Sequence, residues 1–341
     1  MDTQYDHYIA VDWSIRNMAI ARMTGKSNKI SVVDVPSDVG ELRLYLKNLR
    51  GSKALTLEET TTSQWLYTEL KGEVERLVIC DPVRNHLLSE GAKTDKIDAS
   101  KLVQLLRADL LKEVYHSGEE FLKLRRLVSG YEDVVRAGVR LKNQRYSLLR
   151  ACGLTGEESM ETRLERAIEQ RVLEGLERQI VCNKEEKERY GKDFNALAKK
   201  HPEIRHQMSL PGIGLIGAVR IVSRVVSPHR FVKAGHFLSY AGLVKLERTS
   251  GQVTYGRKKS RYCRELKYVY KIGAITAIGK NNPINDYYEY LMREKKYPDY
   301  QARHKTARRL ATLSLGVFKS GKKYRRETIE KGDQGIKNPG L

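Results

Sequence analysis

No stretch of this 341-residue sequence approaches the ~18 consecutive apolar residues of a membrane-spanning helix, and its N-terminus lacks a signal-peptide pattern. The chain is therefore expected to be soluble and cytoplasmic, with no membrane partner. Cysteine is scarce. Cys80, Cys152, Cys182 and Cys263 lie far apart and form no CxxC pair, which argues against a zinc site and against a disulfide framework. Acidic charge is also in deficit: 42 Asp and Glu stand against 63 Lys and Arg, a formal charge of +21. The deficit is uneven. Residues 1–117 hold 16 basic and 17 acidic residues, whereas the other 224 hold 47 and 25. A near-neutral domain joined to a strongly basic remainder points to a polyanionic partner, nucleic acid first; the bland alternative is a basic soluble protein. The length suits two or three domains.

Three short apolar runs open the chain, His7–Asp12, Met18–Arg22 and Ile30–Val35, joined by Gly, Ser and Asn turns. They predict an antiparallel meander. Ser37 is the N-cap candidate for a helix whose stripe is Leu42, Tyr45, Leu46 and Leu49. Ala54–Glu59 reads as a buried strand ending in acid, and Thr60, Thr61 and Thr62 can cap a helix carrying Trp65, Leu66 and Leu70. Arg76–Asp81 is a further strand ending in acid, stopped by Pro82, with a short helix expected near Asn85–Leu88. Thr94 then caps a helix with Ile97, Leu102, Leu105, Leu106, then Leu110 and Leu111 on its apolar side. The order β-β-β-α-β-α-β-α is that of an RNase H-like domain.

This order places four acids together. Asp12 leaves the first strand and Glu58 the fourth, and these strands are neighbours in such a sheet. Asp95 and Asp98, three apart, leave one face of the following helix. Alone, that pair would only serve the helix dipole. Four converging carboxylates repel one another, and two Mg²⁺ ions with hard oxygen ligands would offset that repulsion. Glu59 and Asp81 are rivals for the strand-end roles, although Glu59 should point away from Glu58 because strands alternate.

From residue 118 to 200 the strand signal disappears. Phe121–Leu149 and Met160–Ala198 read as long helices broken at Gly153–Gly156, a helical hairpin or coiled-coil arm that serves as a spacer or a dimerisation element. The segment Pro211-Gly212-Ile213-Gly214 has the spacing of a helix-hairpin-helix element, whose glycines expose backbone N–H groups to phosphate; a tight packing turn is the equal alternative. Beyond it, Ser250 precedes Gly251 in a Gly-containing loop or hairpin, followed by Arg257, Lys258, Lys259 and Arg261. Arg257, Lys258 and Lys259 suit the stabilisation of charge on a phosphate. Lys267 and Lys271 lie on a helix with Tyr262, Tyr268 and Tyr270, a mixture suited to phosphate neutralisation and stacking, or to a solvated basic helix with its tyrosines packed inward. The polar tail at 321–341 is expected to be disordered.

The succession YIAVDWS, LEET, KTDKIDA, SLPGIG, FLSYAGL and ERTSG resembles the DEDD transposases of the insertion-sequence IS-one-ten family, relatives of the Piv invertase and of RNA-guided bridge recombinases. The resemblance covers roughly residues 5–320. It implies a RuvC-like catalytic domain at 1–117, a helical coiled-coil linker at 118–200 and a mainly helical transposase domain at 201–320 with a serine nucleophile. By motif, Asp12, Glu58, Asp95 and Asp98 match the family acids, and Ser250 the family serine. Two departures stand out. LEETTTSQW replaces the family's E-A-T/S-G run, and RKKSRYCREL lacks the glycine step that usually precedes the basic helix. The resemblance further implies DNA as donor and target, a structured guide RNA, and a dimer that becomes a tetramer on DNA. The alternative reading is a RuvC-like structure-selective endonuclease in which metal-activated water attacks.

Overall fold

The computed structural model describes residues 4–82, 94–116, 118–154, 167–244, 246–250, 253–258 and 261–325. The chain divides into two compact units, Met1–Glu119 and Glu120–Leu341.

The first unit is built on one five-stranded sheet. Its elements are β1 (His7–Trp13), β2 (Asn17–Thr24), β3 (Ser31–Pro36), α1 (Val39–Lys47), β4 (Lys53–Glu58), α2 (Ser63–Leu70), β5 (Arg76–Cys80) and α3 (Asp95–Arg107). The strand order is β3-β2-β1-β4-β5, with the first three antiparallel and β1, β4 and β5 parallel, an RNase H-like arrangement. Strand alternation sorts the side chains into two cores. Ile9, Val11, Leu55 and Leu57 meet Leu42 and Leu46 of α1 and Leu66 and Leu70 of α2 on one face. Tyr8, Ala10, Ala19, Ala21 and Ala54 meet Leu102, Val103 and Leu106 of α3 on the other. The alanines make that second face shallow, so α3 lies close over it.

Helix α1 is capped by Asp38, which accepts from the Glu41 N–H at 3.0 Å, and not by Ser37. The Ser37 hydroxyl donates instead to the Ser14 carbonyl at 2.9 Å. Moving the cap by one residue restores the acid three positions on that a capping box wants, at Glu41. The helix expected near Asn85–Leu88 lies outside the described residues.

The second unit begins with α4 (Glu119–Ala151) and α5 (Ala167–Lys200), which run antiparallel. Tyr131 meets the rings of Tyr190 and Phe194, Asn183 donates to the Val134 carbonyl at 2.9 Å, Arg145 pairs with Glu177 at 3.3 Å, and Leu149 packs on Leu173. Gly130 and Gly138 permit this approach: a Cβ on Gly130 would meet the Tyr190 hydroxyl at 2.5 Å, and one on Gly138 would strike Asn183. The base of the hairpin joins the core that follows it, because Leu124, Val128, Tyr131, Phe194 and Ala198 belong to one apolar cluster with Val219, Val222, Leu266 and Leu310. Toward the tip, Tyr146, Val172 and Val181 are exposed.

That core is made of α6 (Pro202–Met208), α7 (Leu215–Val225), α8 (Ala234–Tyr240), α9 (Arg264–Ala277), α10 (Pro283–Arg293) and α11 (Asp299–Ser320), with a hairpin of β6 (Leu246–Ser250) and β7 (Val253–Lys258). A buried polar triangle ties α6, α9 and α11: Ser314 Oγ donates to Gln207 Oε1 at 2.6 Å and meets the Tyr270 hydroxyl at 2.8 Å. Among the described residues no helix is long and apolar enough to cross a membrane. Of the expected disordered tail, residues 326–341 lie outside the described residues.

Candidate active site and nucleic-acid interface

The acids of the first unit are placed by strand register. Val11 pairs with Leu57 across β1 and β4, and Asp12 and Glu58 each follow by one residue. Since Val11 and Leu57 face α1 and α2, alternation turns Asp12 and Glu58 to the face that α3 covers. Helix α3 starts at this edge. Thr94 caps it, accepting from the Ile97 N–H at 3.3 Å, and Lys96 ties its first turn to β3 through Asp34 at 2.8 Å. Asp95 and Asp98 occupy that first turn, and Asp95 lines a groove with Asn17, Met18, Ala19, Asp34 and Thr94.

Electrostatics record the convergence. Burial, then the charge of Asp95, then that of Asp98 push the Asp12 carboxyl up to about 6. Asp98 Oδ1 is buried without a hydrogen-bond partner. Like-charge pairs of this kind cost about 1 kcal/mol each when partly solvated, whereas burying Leu102, Val103 and Leu106 contributes roughly 1.5–3 kcal/mol per side chain. Helix packing therefore holds the acids against their repulsion. A carboxyl raised by burial and neighbouring acids, beside a buried carboxylate oxygen without a hydrogen-bond partner, offers hard oxygen donors whose chemistry fits Mg²⁺. As they stand, no three His, Cys, Asp or Glu side chains among the described residues are close enough together to hold a metal ion. The rivals are less well placed: Glu59 is exposed and Asp81 is buried beyond the end of β5. The sequence reading missed an aromatic edge at the same strand end, where Trp13 meets Trp65 with ring centroids 5.9 Å apart; the signal was a tryptophan following each acid-bearing strand.

Ser250 ends β6, and its backbone pairs with Val253 across a two-residue turn. The same register places the backbone of two of the neighbouring cations. Arg257 pairs with Glu247 and Lys258 with Leu246, at the opposite end of the hairpin from Ser250. Three to four residues at ~3.4 Å each separate their backbone positions from the turn by roughly 10–13 Å. Lys259 lies outside the described residues. Arg261 is exposed, and Lys267 Nζ stands 4.6 Å over the Tyr262 ring.

The two glycines of the PGIG step differ. Gly212 has φ +80°, and a Cβ there would strike the Gly273 carbonyl of α9, so this glycine serves close helix packing. Gly214 precedes α7 without a side-chain cap, and nothing lies within 4 Å of where its Cβ would be. It is the glycine of this step left open to a ligand.

The sequence matches the profile described as Transposase IS116/IS110/IS902 family over residues 205–289, and a transposase profile of the IS110 DEDD type over residues 9–153. It is 25% identical over 154 residues to the insertion element IS110 uncharacterized 43.6 kDa protein of Streptomyces coelicolor, covering 45% of this chain and 38% of that protein. It is 33% identical over 81 residues to the insertion element IS116 uncharacterized 44.8 kDa protein of Streptomyces clavuligerus, covering 24% and 20%. The chain thus aligns with well under half the length of these relatives. The first profile contains Gly212, Gly214, Ser250 and the basic helix, and the second contains Asp12, Glu58, Asp95 and Asp98. Both profiles are matched in chain order, so over these two segments the chain is similar to DEDD transposases of the IS110 type.

Proposed function

We propose that the chain is a transposase that cuts and rejoins DNA through Ser250, with Asp12, Glu58, Asp95 and Asp98 holding two Mg²⁺ ions. The observation that carries this reading is the convergence of Asp12, Asp95 and Asp98 on one sheet face, with Asp98 Oδ1 unpartnered. Magnesium held there would polarise a phosphodiester oxygen and acidify a nearby hydroxyl. Ser250 Oγ attacks phosphorus, the bond to the leaving strand's oxygen breaks, and the serine proton ends on that oxygen. The phosphoserine ester keeps the bond energy for rejoining, which hydrolysis would discard.

Ser250 and the carboxylates belong to different compact units, so closure or a second protomer must bring them together for the reaction. The exposed apolar residues of the helical hairpin are the proposed contact between copies, as a coiled-coil dimer and as a tetramer on DNA. A structured guide RNA, the boundaries 1–117, 118–200 and 201–320, and a cytoplasmic location belong to the same proposal, supported by the similarity to that family. Gly212, Gly214, Arg257, Lys258, Lys259, Arg261 and Lys267 are the proposed nucleic-acid contacts, with Gly214, Arg261 and Lys267 the best supported by their surroundings.

The test is a denaturing gel of protein incubated with element-end DNA and Mg²⁺. Wild type and Ser260→Ala should carry DNA covalently, and Ser250→Ala should not. An adduct on Ser250→Ala overturns the nucleophile. Cleavage without any adduct favours the water-attack endonuclease.

A further inference from the structure

Lys267 and Lys271 stand one turn apart on α9, and His304 and Arg308 one turn apart on α11. These helices pack directly, through the Tyr270 hydroxyl on Ser314 and through Gly273, where a Cβ would lie 3.0 Å from Leu310 Cδ2. Lys271 and Arg308 are exposed, and Lys267 and His304 half-buried. The His304 ring hydrogen-bonds the Leu243 backbone. Burial, then Arg308, Lys271 and Lys267, hold its pKa below the usual imidazole value, so all three cations act on one neutral ring.

Several cations of this unit are paired with carboxylates. Arg220 pairs with Glu132 at 3.1 Å, Arg224 with Glu265 at 3.2 Å and Arg303 with Asp299 at 2.8 Å. Among the described residues Lys271 and Arg308 have no carboxylate partner, and the contact of Lys267 is the Tyr262 ring. Three like charges gathered by helix packing repel one another, and the repulsion turns to attraction when an anion arrives. His304 and Arg308 fall outside both matched family segments.

We propose that Lys267, Lys271, Arg308 and His304 form a binding site for the phosphate backbone of DNA at the α9–α11 crossing. The site extends the proposed function, since it presupposes a DNA partner. DNA is the occupant because the family is one of transposases, and the site grips backbone without reading bases.

The test is the salt dependence of binding, measured by fluorescence anisotropy with the full chain and a short duplex DNA. Lys271→Gln/Arg308→Gln should weaken binding roughly tenfold or more and flatten the log–log salt slope by about 2, close to 0.9 per lost phosphate contact. Both positions are exposed, so folding should be retained, which circular dichroism checks. Lys322→Gln/Lys323→Gln, the same charge change at two other exposed residues, should leave the slope within about half a unit. An unchanged slope in the first variant overturns the site. An equal flattening in both variants also overturns it, in favour of a diffuse field. A loss confined to single-stranded RNA, with DNA binding intact, assigns the cluster to RNA and overturns the DNA proposal. Wild type that binds no DNA overturns both the site and the proposed function, whereas loss of the site alone leaves the Ser250 adduct assay as an independent test of that function.

Discussion

The sheet unit and the helical unit solve the same electrostatic problem with opposite signs. In the first, ion pairs join Arg43 with Glu69 and Glu73, Arg76 with Asp109, and Lys96 with Asp34. Its imbalance is concentrated where Asp12, Asp95 and Asp98 meet. In the second, the excess is cationic, and three of its cations act on His304 where α9 packs on α11. The two clusters differ in the ligand their chemistry suits: cations for the acids, phosphate for the bases. Net charge says only that such a partner exists.

The strongest way to break this comparison is to remove one acid. Asp95→Asn should abolish DNA cleavage while leaving equilibrium DNA binding nearly unchanged. If binding fell in parallel with cleavage, the acids and the bases would not be separate devices. Next in size, Leu102→Ala should destabilise the first unit by about 2–5 kcal/mol, because Leu102 is fully buried beneath the acid-bearing turn. Thermal unfolding with Mg²⁺ present and absent would show whether cation binding weakens with it. Gly212→Ala should destabilise the second unit by about 1–3 kcal/mol through its left-handed backbone and its contact with Gly273. Its destabilisation without DNA would show that packing alone suffices to require the glycine.

The smallest effect sharpens the comparison most. The Asp12 carboxyl is raised from 3.8 to about 6. Its contribution to stability is therefore fully present below pH 3.8 and lost as pH rises through about 6. Asp12→Asn carries no such titration. In metal-free protein at neutral pH it should be more stable than wild type by on the order of 1–2 kcal/mol after solvent screening, with the gap closing toward pH 4. Added Mg²⁺ should narrow the gap at neutral pH by stabilising wild type. A gap independent of pH would mean that Asp12 is not under pressure from its neighbours.

Local rules made the first unit legible. Alternating apolar residues and Gly/Ser turns define β1 to β3, and alternation alone assigns Asp12 and Glu58 to one face. The cap moved from Ser37 to Asp38 because two good capping residues are adjacent and a tertiary contact, the Ser14 carbonyl, takes the serine hydroxyl. The backbone positions of Arg257 and Lys258 follow from the register of a hairpin, in which residues a few positions past the turn pair back toward its base. Lys271 and Arg308 are 37 positions apart, and only the packing of α9 on α11 relates them. No sequence period carries that information.

The helical hairpin has a mechanical consequence. The core clamps it at Tyr131 and Phe194, while α4 runs on to Ala151. Those last 20 residues rise about 30 Å. A beam anchored at one end magnifies any tilt at its root: a rotation of about 10° would sweep the far end through roughly 5 Å, close to one helical turn. Whatever grips that far end therefore senses small rearrangements of the basic core as large displacements, and can drive them in return.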